Sequence, residues 1–439
     1  MVKLKNIEKV HRTDPSVFYG LDLRFGDKKS LSLSKTTVFM RTTLNFLLCF
    51  ILIAFSACHL VRGFKYRNFD PKDGPKIPHL GVKKGENVPF HYAKPAVPPQ
   101  EAWVKFLDEK LKNSKTYAFL VIRNDSLLYE RYFGNWQDSQ YFPSFSVAKS
   151  FVSALVGIAH DEGKIKSFND PITDYLPELL VSDPRFKRVT IQHILDMRSG
   201  IKFNERYRNL FADVWKMGFS INLGQYLHTL TIEKPAGGAF EYKSVNSQLL
   251  GMVVERATGK KLSEYLSEKI WQPLNMESDA VWNIDSDKRQ MVKGFCCLNA
   301  TARDYAKFGS LYLHKGKWQG RQIISEAWVT ASTDIDTLVN NDYYKNQWWM
   351  HRKFKQYDNL KRAEVVRDSV NGTIFVKPNK KIVVIPAKMK AFVAKGILGQ
   401  YIYVNPETNV VLVRLGKYWP EKRFGKAETF MYEAGRRIY

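Results

Sequence analysis

The sequence predicts an α+β protein: an antiparallel sheet built from both chain ends and flanked by helices, with an inserted, mainly helical lobe at about 164–290. Three observations predict this class. Apolar runs typical of strands occur within residues 117–132 and again within 391–415. The residues between these two regions follow mostly helical patterns. Strands at both ends therefore indicate one sheet, closed by the two ends of the folded domain.

Turn residues separate the predicted strands. Arg123-Asn124-Asp125 lies between the first two strands, and Asn405-Pro406-Glu407 lies between the last two. Both sequences favour tight connections of the kind that join antiparallel neighbours. The predicted strands are residues 117–122, 127–132, 391–394, 400–404 and 410–415.

Several segments predict helices. Residues 146–161 (SVAKSFVSALVGIAHD) form a strongly apolar one. Thr258-Gly259 ends one of them, as glycine commonly does. The other predicted helices are residues 247–257, 303–315, 324–331 and 428–438.

The composition permits a large buried core and indicates an anionic neighbour. The chain has 439 residues, of which 44% are hydrophobic, and its formal net charge is +25. Such a charge indicates a membrane or cell-wall polymer nearby, or simply a basic proteome. No zinc-finger or helix-turn-helix pattern is present, so we expect no nucleic-acid partner.

The four cysteines do not predict a metal site or a disulfide framework. Cys49 and Cys58 lie in an apolar run, and Cys296 and Cys297 are neighbours, which rarely bridge each other. No C-x-x-C or H-x-x-x-H pair occurs. We expect neither a metal nor another cofactor.

The N-terminal region predicts a location at the cell envelope. Residues 1–39 read as an upstream extension, and residues 40–62 as a signal peptide or a membrane anchor, built on the run FLLCFILIAFSACHLV. The segment resembles a lipoprotein signal that ends before Cys58; an uncleaved anchor and a buried core helix are the alternatives. Residues 63–100 predict an extended tether. The folded domain would be 101–439, outside the cytoplasm on the periplasmic side.

A serine and a lysine one helical turn apart carry the chemistry. In SVAK, Ser146 and Lys149 share a helical face, and the first turn supplies free N–H groups for a developing oxyanion. A free lysine has a pKa of about 10.4, so burial must lower that pKa greatly before it can act as a base near pH 7. A capping serine beside a solvated lysine is the alternative. Ser32 to Lys35 (SLSK) also fits S-x-x-K, and we interpret it as chance.

An ordered series of motifs over most of residues 115–417 resembles the serine β-lactamase and penicillin-binding family. Within it, the branch of 6-aminohexanoate-dimer hydrolases and related esterases is the most similar. The motifs are SFSVAKSFVSALVGIAHDEGKI, FNDPITDYLPEL, TIQHILDMRSGI, FEYKSVNSQLLGMVVERATGKKLSEYLSEKIWQPLNM, NATARDYAKFGSLYLHKGKW and GILGQYIYVNPETNVVLVRLG.

This resemblance implies roles for particular residues. Ser146 would be acylated, Lys149 would be its proton partner, and Tyr242 would match the tyrosine of the family's Tyr-x-Asn motif; a core aromatic is the alternative for Tyr242. The oxyanion would be bound by the backbone N–H groups of Ser146 and Ile397. Whether Lys149 or Tyr242 takes the serine proton is left open.

Two departures from the family pattern bear on the substrate. Ser244 stands where asparagine is usual, unless Asn246 substitutes for it. The third motif, Lys-Thr-Gly or His-x-Gly, corresponds to residues 394–400 (AKGILGQ), which lack the hydroxyl that grips a substrate carboxylate. We expect Ser244, Gly396 and Gln400 to bind substrate.

These patterns predict a serine hydrolase that cleaves an amide or ester bond of a small substrate through an acyl-enzyme. The departures make β-lactams and D-Ala-D-Ala peptides less favoured than other amides or esters. The alternative is a sensor or binding module that acylates with little turnover. The aromatic run at 347–350 (QWWM) either lines the cleft or packs in the core.

Overall fold

The computed structural model describes residues 71–86, 89–333, 343–350, 355–357, 359–369, 373–376, 382–385, 391–436 and 438. The predicted extension and the signal or anchor at 40–62 lie outside these residues, so the envelope location stays a prediction. Among the described residues, no helix has both the length and the apolar character needed to cross a membrane.

The main sheet has seven antiparallel strands, and its central strands come from both ends of the domain. Val413 lies between Leu120 on the N-terminal side and Ile402 on the other. In sheet order the strands are β3 (Ser126–Tyr132), β2 (Thr116–Arg123), β16 (Val410–Gly416), β15 (Gln400–Asn405), β14 (Phe392–Gly396), β10 (Trp348–Met350) and β9 (Tyr344–Lys345). The predicted closure of one sheet by both chain ends is therefore confirmed, and two short strands extend it.

Helices cover both faces of this sheet. On one face, α1 (Glu101–Lys112) and α13 (Ala427–Arg436) contribute Trp103 and Phe430 to a core with strand residues such as Phe119. On the other face lie α2 (Ala148–Asp161) and α9 (Ala302–Leu313). Because residues 148–159 of α2 are all buried, this helix is held rigidly at the centre of the molecule.

The inserted lobe is mainly helical, as predicted. Its longest helix, α7 (Ser244–Thr258), packs against α2 and so brings lobe residues to the start of α2. The other lobe helices are α3 (Leu179–Ser182), α4 (Ile191–Leu195), α5 (Asp213–Gly218), α6 (Leu223–Tyr226), α8 (Leu262–Leu266), the π-helical turn Ser267–Trp271 and 3-10 turns at Ile172–Asp174, Pro184–Arg188 and Leu227–Thr229. After α9, the remaining helices are α10 (Glu326–Thr333), α11 (Leu360–Ser369) and α12 (Glu421–Phe424).

A second, four-stranded sheet corrects the predicted tether. Residues 71–76 form a 3-10 turn, and β1 (His79–Val82) pairs with β5 (Ala280–Asn283). This part of 63–100 is therefore folded onto the domain, because its backbone groups are paired with those of β5. The sheet order is β1, β5, β6 (Leu298–Ala300) and β4 (Phe142–Pro143). Smaller sheets contain β7 (Lys317–Trp318) with β8 (Arg321–Gln322), and β11 (Lys355–Tyr357), β13 (Ile382–Ile385) and β12 (Thr373–Val376).

Candidate active site

Ser146 lies in a strained turn just before α2. Phe145 has a φ of 44°, in the left-handed region that non-glycine residues rarely adopt, and it begins the 3-10 turn Phe145–Val147. The backbone N–H of Ser144 donates to the carbonyl of Leu298 at 2.7 Å, which ties this turn to β6. Such strain persists only where the surroundings enforce it, and it clusters at functional sites. Ser146 keeps 9% of its surface exposed.

Lys149 reaches Ser146 from one helical turn away, as its spacing predicted. The Nζ atom donates to Ser146 Oγ at 3.1 Å, to Ser244 Oγ at 3.2 Å and to the carbonyl oxygen of Phe295 at 2.7 Å. Its side chain is 1% exposed. The three acceptors match the three N–H bonds of an ammonium group, so the charged form is fully hydrogen-bonded although it is buried.

Burial is the main influence on the pKa of Lys149. Loss of water around Nζ lowers the pKa of Lys149 to about 8, while the negative charge of Glu205 acts in the opposite direction. A lysine with that pKa is partly neutral near pH 7. The sequence predicted that the pKa of Lys149 must be lowered, and in the structure burial of its side chain is the cause.

The acceptors around Lys149 also orient its neutral form. Ser244 donates its own proton to Glu205 at 2.6 Å, so its oxygen can accept from Lys149. The two N–H bonds of a neutral amine then go to Ser244 and to the carbonyl of Phe295, and the lone pair is left facing Ser146 Oγ. This is the arrangement a general base needs.

Glu205 and Tyr207 are site residues that the sequence reasoning missed. Glu205 accepts from the backbone N–H of Ser244 at 2.8 Å and from the Tyr207 hydroxyl at 2.6 Å. Both lie in an irregular stretch before α5, where no periodic pattern singles out a carboxylate. A chain of hydrogen bonds therefore runs from Lys149 through Ser244 to Glu205 and Tyr207.

Ser244 itself occupies the place predicted for the second motif, but in a different role. It is fully buried between Lys149 and Glu205, so its hydroxyl contacts these two side chains and is not exposed to a substrate. Asn246 does not substitute for it, since its amide donates to the sulfur of Met197 at 3.3 Å.

Tyr242 completes the predicted trio. Lys149 Nζ lies 5.4 Å from the centre of its ring. Burial raises the pKa of Tyr242 above its usual range, and the neighbouring Ser146 hydroxyl lowers it by a smaller amount. The phenol therefore stays protonated at neutral pH, and Lys149 is the member of the pair that titrates there.

The end of β14 faces the turn that contains Ser146. A Cβ atom on Gly396 would lie 2.5 Å from the carbonyl oxygen of Ser144 and 3.2 Å from Cβ of Phe145, so only glycine lets the strand come this close. Ile397 follows at the surface, 36% exposed. This approach is compatible with the predicted oxyanion-binding N–H of Ile397, which stays a prediction. Ala394, two residues before Gly396, is fully buried.

Gln400 positions the backbone here, and its side chain has no group left for a substrate. Its amide donates to the carbonyls of Gly416 at 2.6 Å and Ile397 at 3.3 Å, and its oxygen accepts from the N–H of Gly416 at 3.0 Å. It is 1% exposed. The predicted substrate contact through the Gln400 side chain is therefore replaced by a contact that holds the turn after β14.

Aromatic rings form one wall beside Tyr242. Trp349 stacks on Tyr242 with ring centres 5.5 Å apart, and Tyr344 meets Trp349 edge-on at 4.8 Å. Phe240 packs against both of these partners of Tyr242. Of the run 347–350, Trp348 is fully buried while Trp349 is half-buried, so one tryptophan packs in the core and the other lies at the site.

One prediction about cysteine is wrong. Cys296 and Cys297 form a disulfide with each other, although neighbouring cysteines rarely do. Cys297 has a φ of 71°, an unusual backbone conformation that accompanies this pairing. No local pattern predicts this pairing, because it depends on the backbone conformation at residues 296–297.

Comparison with known proteins decides the family. The Beta-lactamase family model matches residues 105–436. The chain belongs to that family. A 6-aminohexanoate-dimer hydrolase from Paenarthrobacter ureafaciens is 28% identical over 336 residues, covering 72% of this chain and 76% of the relative. Teichoic acid D-alanine hydrolase from Staphylococcus aureus is 25% identical over 201 residues, 45% of each chain. With its intact Ser146 and Lys149, this beta-lactamase-family chain is a serine hydrolase.

Solved structures show the same fold. A Bacillus anthracis protein provisionally described as a 6-aminohexanoate-dimer hydrolase superposes with a TM-score of 0.63 at 23% identity, covering 82% of this chain and 91% of that one. A penicillin-binding protein from Bacillus halodurans gives 0.53 at 16% identity, covering 77% and 100%. The predicted β-lactamase and transpeptidase-like architecture is confirmed.

Proposed function

We propose that this serine hydrolase cleaves an amide or ester bond of a small substrate through an acyl-enzyme on Ser146, with Lys149 as general base. One observation carries the proposal: the Nζ atom of a buried lysine lies 3.1 Å from Ser146 Oγ. Among the described residues no carboxylate is within ion-pair distance of that lysine, so its proton can leave.

The reaction would follow from this arrangement. Ser146 Oγ attacks the carbonyl carbon while its proton passes to Lys149, and the carbonyl oxygen becomes an oxyanion near the N–H groups of Ser146 and Ile397. The ammonium of Lys149 or the phenol of Tyr242 then protonates the departing alcohol or amine. A water molecule releases the acyl group with the same residues in reverse order.

The surroundings of Ser146 favour a neutral or apolar substrate. Trp349 and Tyr242 present aromatic surface beside the nucleophile. Ala394 offers no cation for a substrate carboxylate. The ammonium of Lys395, 5.0 Å from the centre of the Trp349 ring, is already paired with Glu428. We therefore propose an ester or amide without a carboxylate next to the scissile bond.

The test uses a serine-directed fluorophosphonate probe and short-chain p-nitrophenyl esters. We expect the probe to label Ser146, and Ser146→Ala to lose both labelling and at least about 10³-fold in turnover. Ser32→Ala is the matched control, because Ser32 also begins an S-x-x-K sequence; it should keep full activity. Full ester turnover by Ser146→Ala would rule out this nucleophile.

The same assay separates hydrolase from sensor. Steady turnover after the first equivalent of p-nitrophenol supports a hydrolase. A burst of one equivalent without further release would favour the binding or sensing module instead.

A further inference from the structure

The disulfide between Cys296 and Cys297 lies within a segment that touches the catalytic residues on both sides. Before it, the carbonyl of Phe295 accepts from Lys149 at 2.7 Å, the shortest of the three hydrogen bonds that the lysine makes. After it, the carbonyl of Leu298 accepts from the N–H of Ser144 at 2.7 Å. The cysteine pair therefore lies between the carbonyl that contacts Lys149 and the carbonyl that holds the turn containing Ser146.

The rest of this segment is held by fixed partners. The indole of Trp282 donates to the carbonyl of Cys296 at 2.8 Å. The carbonyl of Cys297 accepts from the N–H of Asn283 at 3.1 Å and from the amide of Asn299 at 2.9 Å. Since these contacts fix the cysteine backbone from outside, the peptide between the two residues has few other conformations while the disulfide is intact.

The backbone of Cys297 has an unusual conformation that the disulfide helps to hold. Its φ of 71° is one that an L-residue seldom adopts without enforcement. When the covalent link is opened, Cys297 loses one of the restraints on this conformation, so we expect the Phe295 carbonyl to shift, while Leu298 stays paired in β6. Cys297 is half-buried and Cys296 is 9% exposed, so a small reductant can reach the pair.

We propose that the Cys296–Cys297 disulfide is a positioning element of the active site, which aims the Phe295 carbonyl at Lys149 and makes hydrolysis sensitive to thiol reductants. This inference rests on the proposed function, since it acts through Lys149. Reduction breaks the Sγ–Sγ bond. A dithiol such as dithiothreitol supplies two electrons and two protons, leaves two thiols on the protein and becomes a cyclic disulfide.

The experiment compares the full chain before and after treatment with dithiothreitol, with p-nitrophenyl ester hydrolysis and intact mass as readouts. We expect reduction to lower turnover by about tenfold or more, because a misplaced base loses its alignment with Ser146. Re-oxidation with oxidised glutathione should restore it. The thermal unfolding midpoint, followed by circular dichroism, shows whether the reduced protein is still folded.

The pH profile is the readout that a merely structural disulfide would not move. A carbonyl acceptor stabilises the ammonium of Lys149, so its loss lowers the pKa of Lys149 and moves the rising limb of the pH–rate curve to lower pH. The other titratable groups that face Lys149 are Glu205, through Ser244, and Tyr242. Neither is bonded to the cysteine segment, so their contribution should be the same in both redox states.

Two double variants complete the design. Cys296→Ser with Cys297→Ser should reproduce the reduced enzyme and ignore dithiothreitol. Cys49→Ser with Cys58→Ser should keep the full response, since these cysteines lie outside the proposed pair. Should the first variant fail to fold, reduction of the unaltered chain still decides the question.

The outcomes separate this inference from the proposed function. Hydrolysis that depends on Ser146 but is equal in rate and pH profile in both redox states would overturn the positioning role alone. So would a protein whose Cys296 and Cys297 remain free thiols by mass after oxidised glutathione treatment. Hydrolysis that survives Ser146→Ala would overturn the proposed function instead.

Discussion

Lys149 and Arg414 are two buried cations without a carboxylate within ion-pair distance among the described residues, and they serve opposite purposes. Lys149 is 1% exposed and Arg414 is fully buried on β16. Burial lowers the pKa of Lys149 to about 8 and that of Arg414 to about 10. At neutral pH the lysine can therefore exchange its proton, while the arginine remains charged.

Burial lowers both pKa values, and the arginine stays charged because a guanidinium has a higher ordinary pKa than an ammonium. The hydrogen-bond partners decide what each cation does. Lys149 donates to two hydroxyls and one carbonyl, and one of those hydroxyls is that of Ser146, the proposed nucleophile. Arg414 donates to the hydroxyl of Thr116 and to three backbone carbonyls, those of Gly399, Ser114 and Tyr418, at 2.6 to 3.0 Å. The guanidinium thus holds the turn after Ile397 in place, as its fixed array of donors allows. The comparison teaches that burial alone does not make a cation a base. The cation must also lie beside a hydroxyl with which it can exchange a proton.

The largest effect should come from removing the Lys149 amine, which is the proposed acceptor of the Ser146 proton. We expect Lys149→Met to lower kcat/KM by about 10³-fold, because no other described residue with a pKa near neutrality contacts Ser146. Its stability should change little, since only one backbone carbonyl loses its donor. Ester kinetics together with urea unfolding measure both. If Lys149→Met kept its activity, the lysine could not be the base.

Arg414→Met should show the reverse pattern. Three backbone carbonyls lose their donor, two of them buried and that of Tyr418 partly buried, so we expect a loss of about 3 kcal/mol in the free energy of unfolding. Activity should fall less than in Lys149→Met when both are assayed at a temperature where they are folded. Arg414→Lys is the control: it keeps the charge but not the planar fork, and should recover only part of the stability. Equal stability of all three proteins would contradict the comparison.

The sequence predicted the half of the site that lies along one helix. Ser146 and Lys149 are joined by a local spacing, and the long strands β2, β15 and β16 by alternation and turns. Both patterns are set by backbone geometry over a few residues, so they can be read without knowing the fold. Tyr242 could be predicted only from the family resemblance, because its distance from Lys149 is set by the packing of the lobe and not by a local spacing.

The other half could not be predicted from local patterns. Glu205 belongs to the site only because the fold of the lobe brings its carboxylate to Ser244. Phe295 contributes a backbone carbonyl, and no residue type in the sequence marks such a carbonyl. The four-residue strand at His79–Val82 is too short to show periodicity and is held by pairing with Ala280–Asn283. In each case a tertiary contact decides what the residue does.

Glu205→Gln should give the smallest effect and the sharpest test of how the two halves are coupled. The charge of Glu205 raises the pKa of Lys149, in opposition to burial. Removing that charge lowers the pKa, so a larger fraction of Lys149 is neutral below pH 8, and the rising limb of the pH–rate curve should move to lower pH. Maximal turnover should fall only several-fold, because the amide of glutamine can still accept from Ser244. A limb that stays in place would show that the carboxylate does not act on the base, and a limb that moves to higher pH would reverse the sign of the coupling.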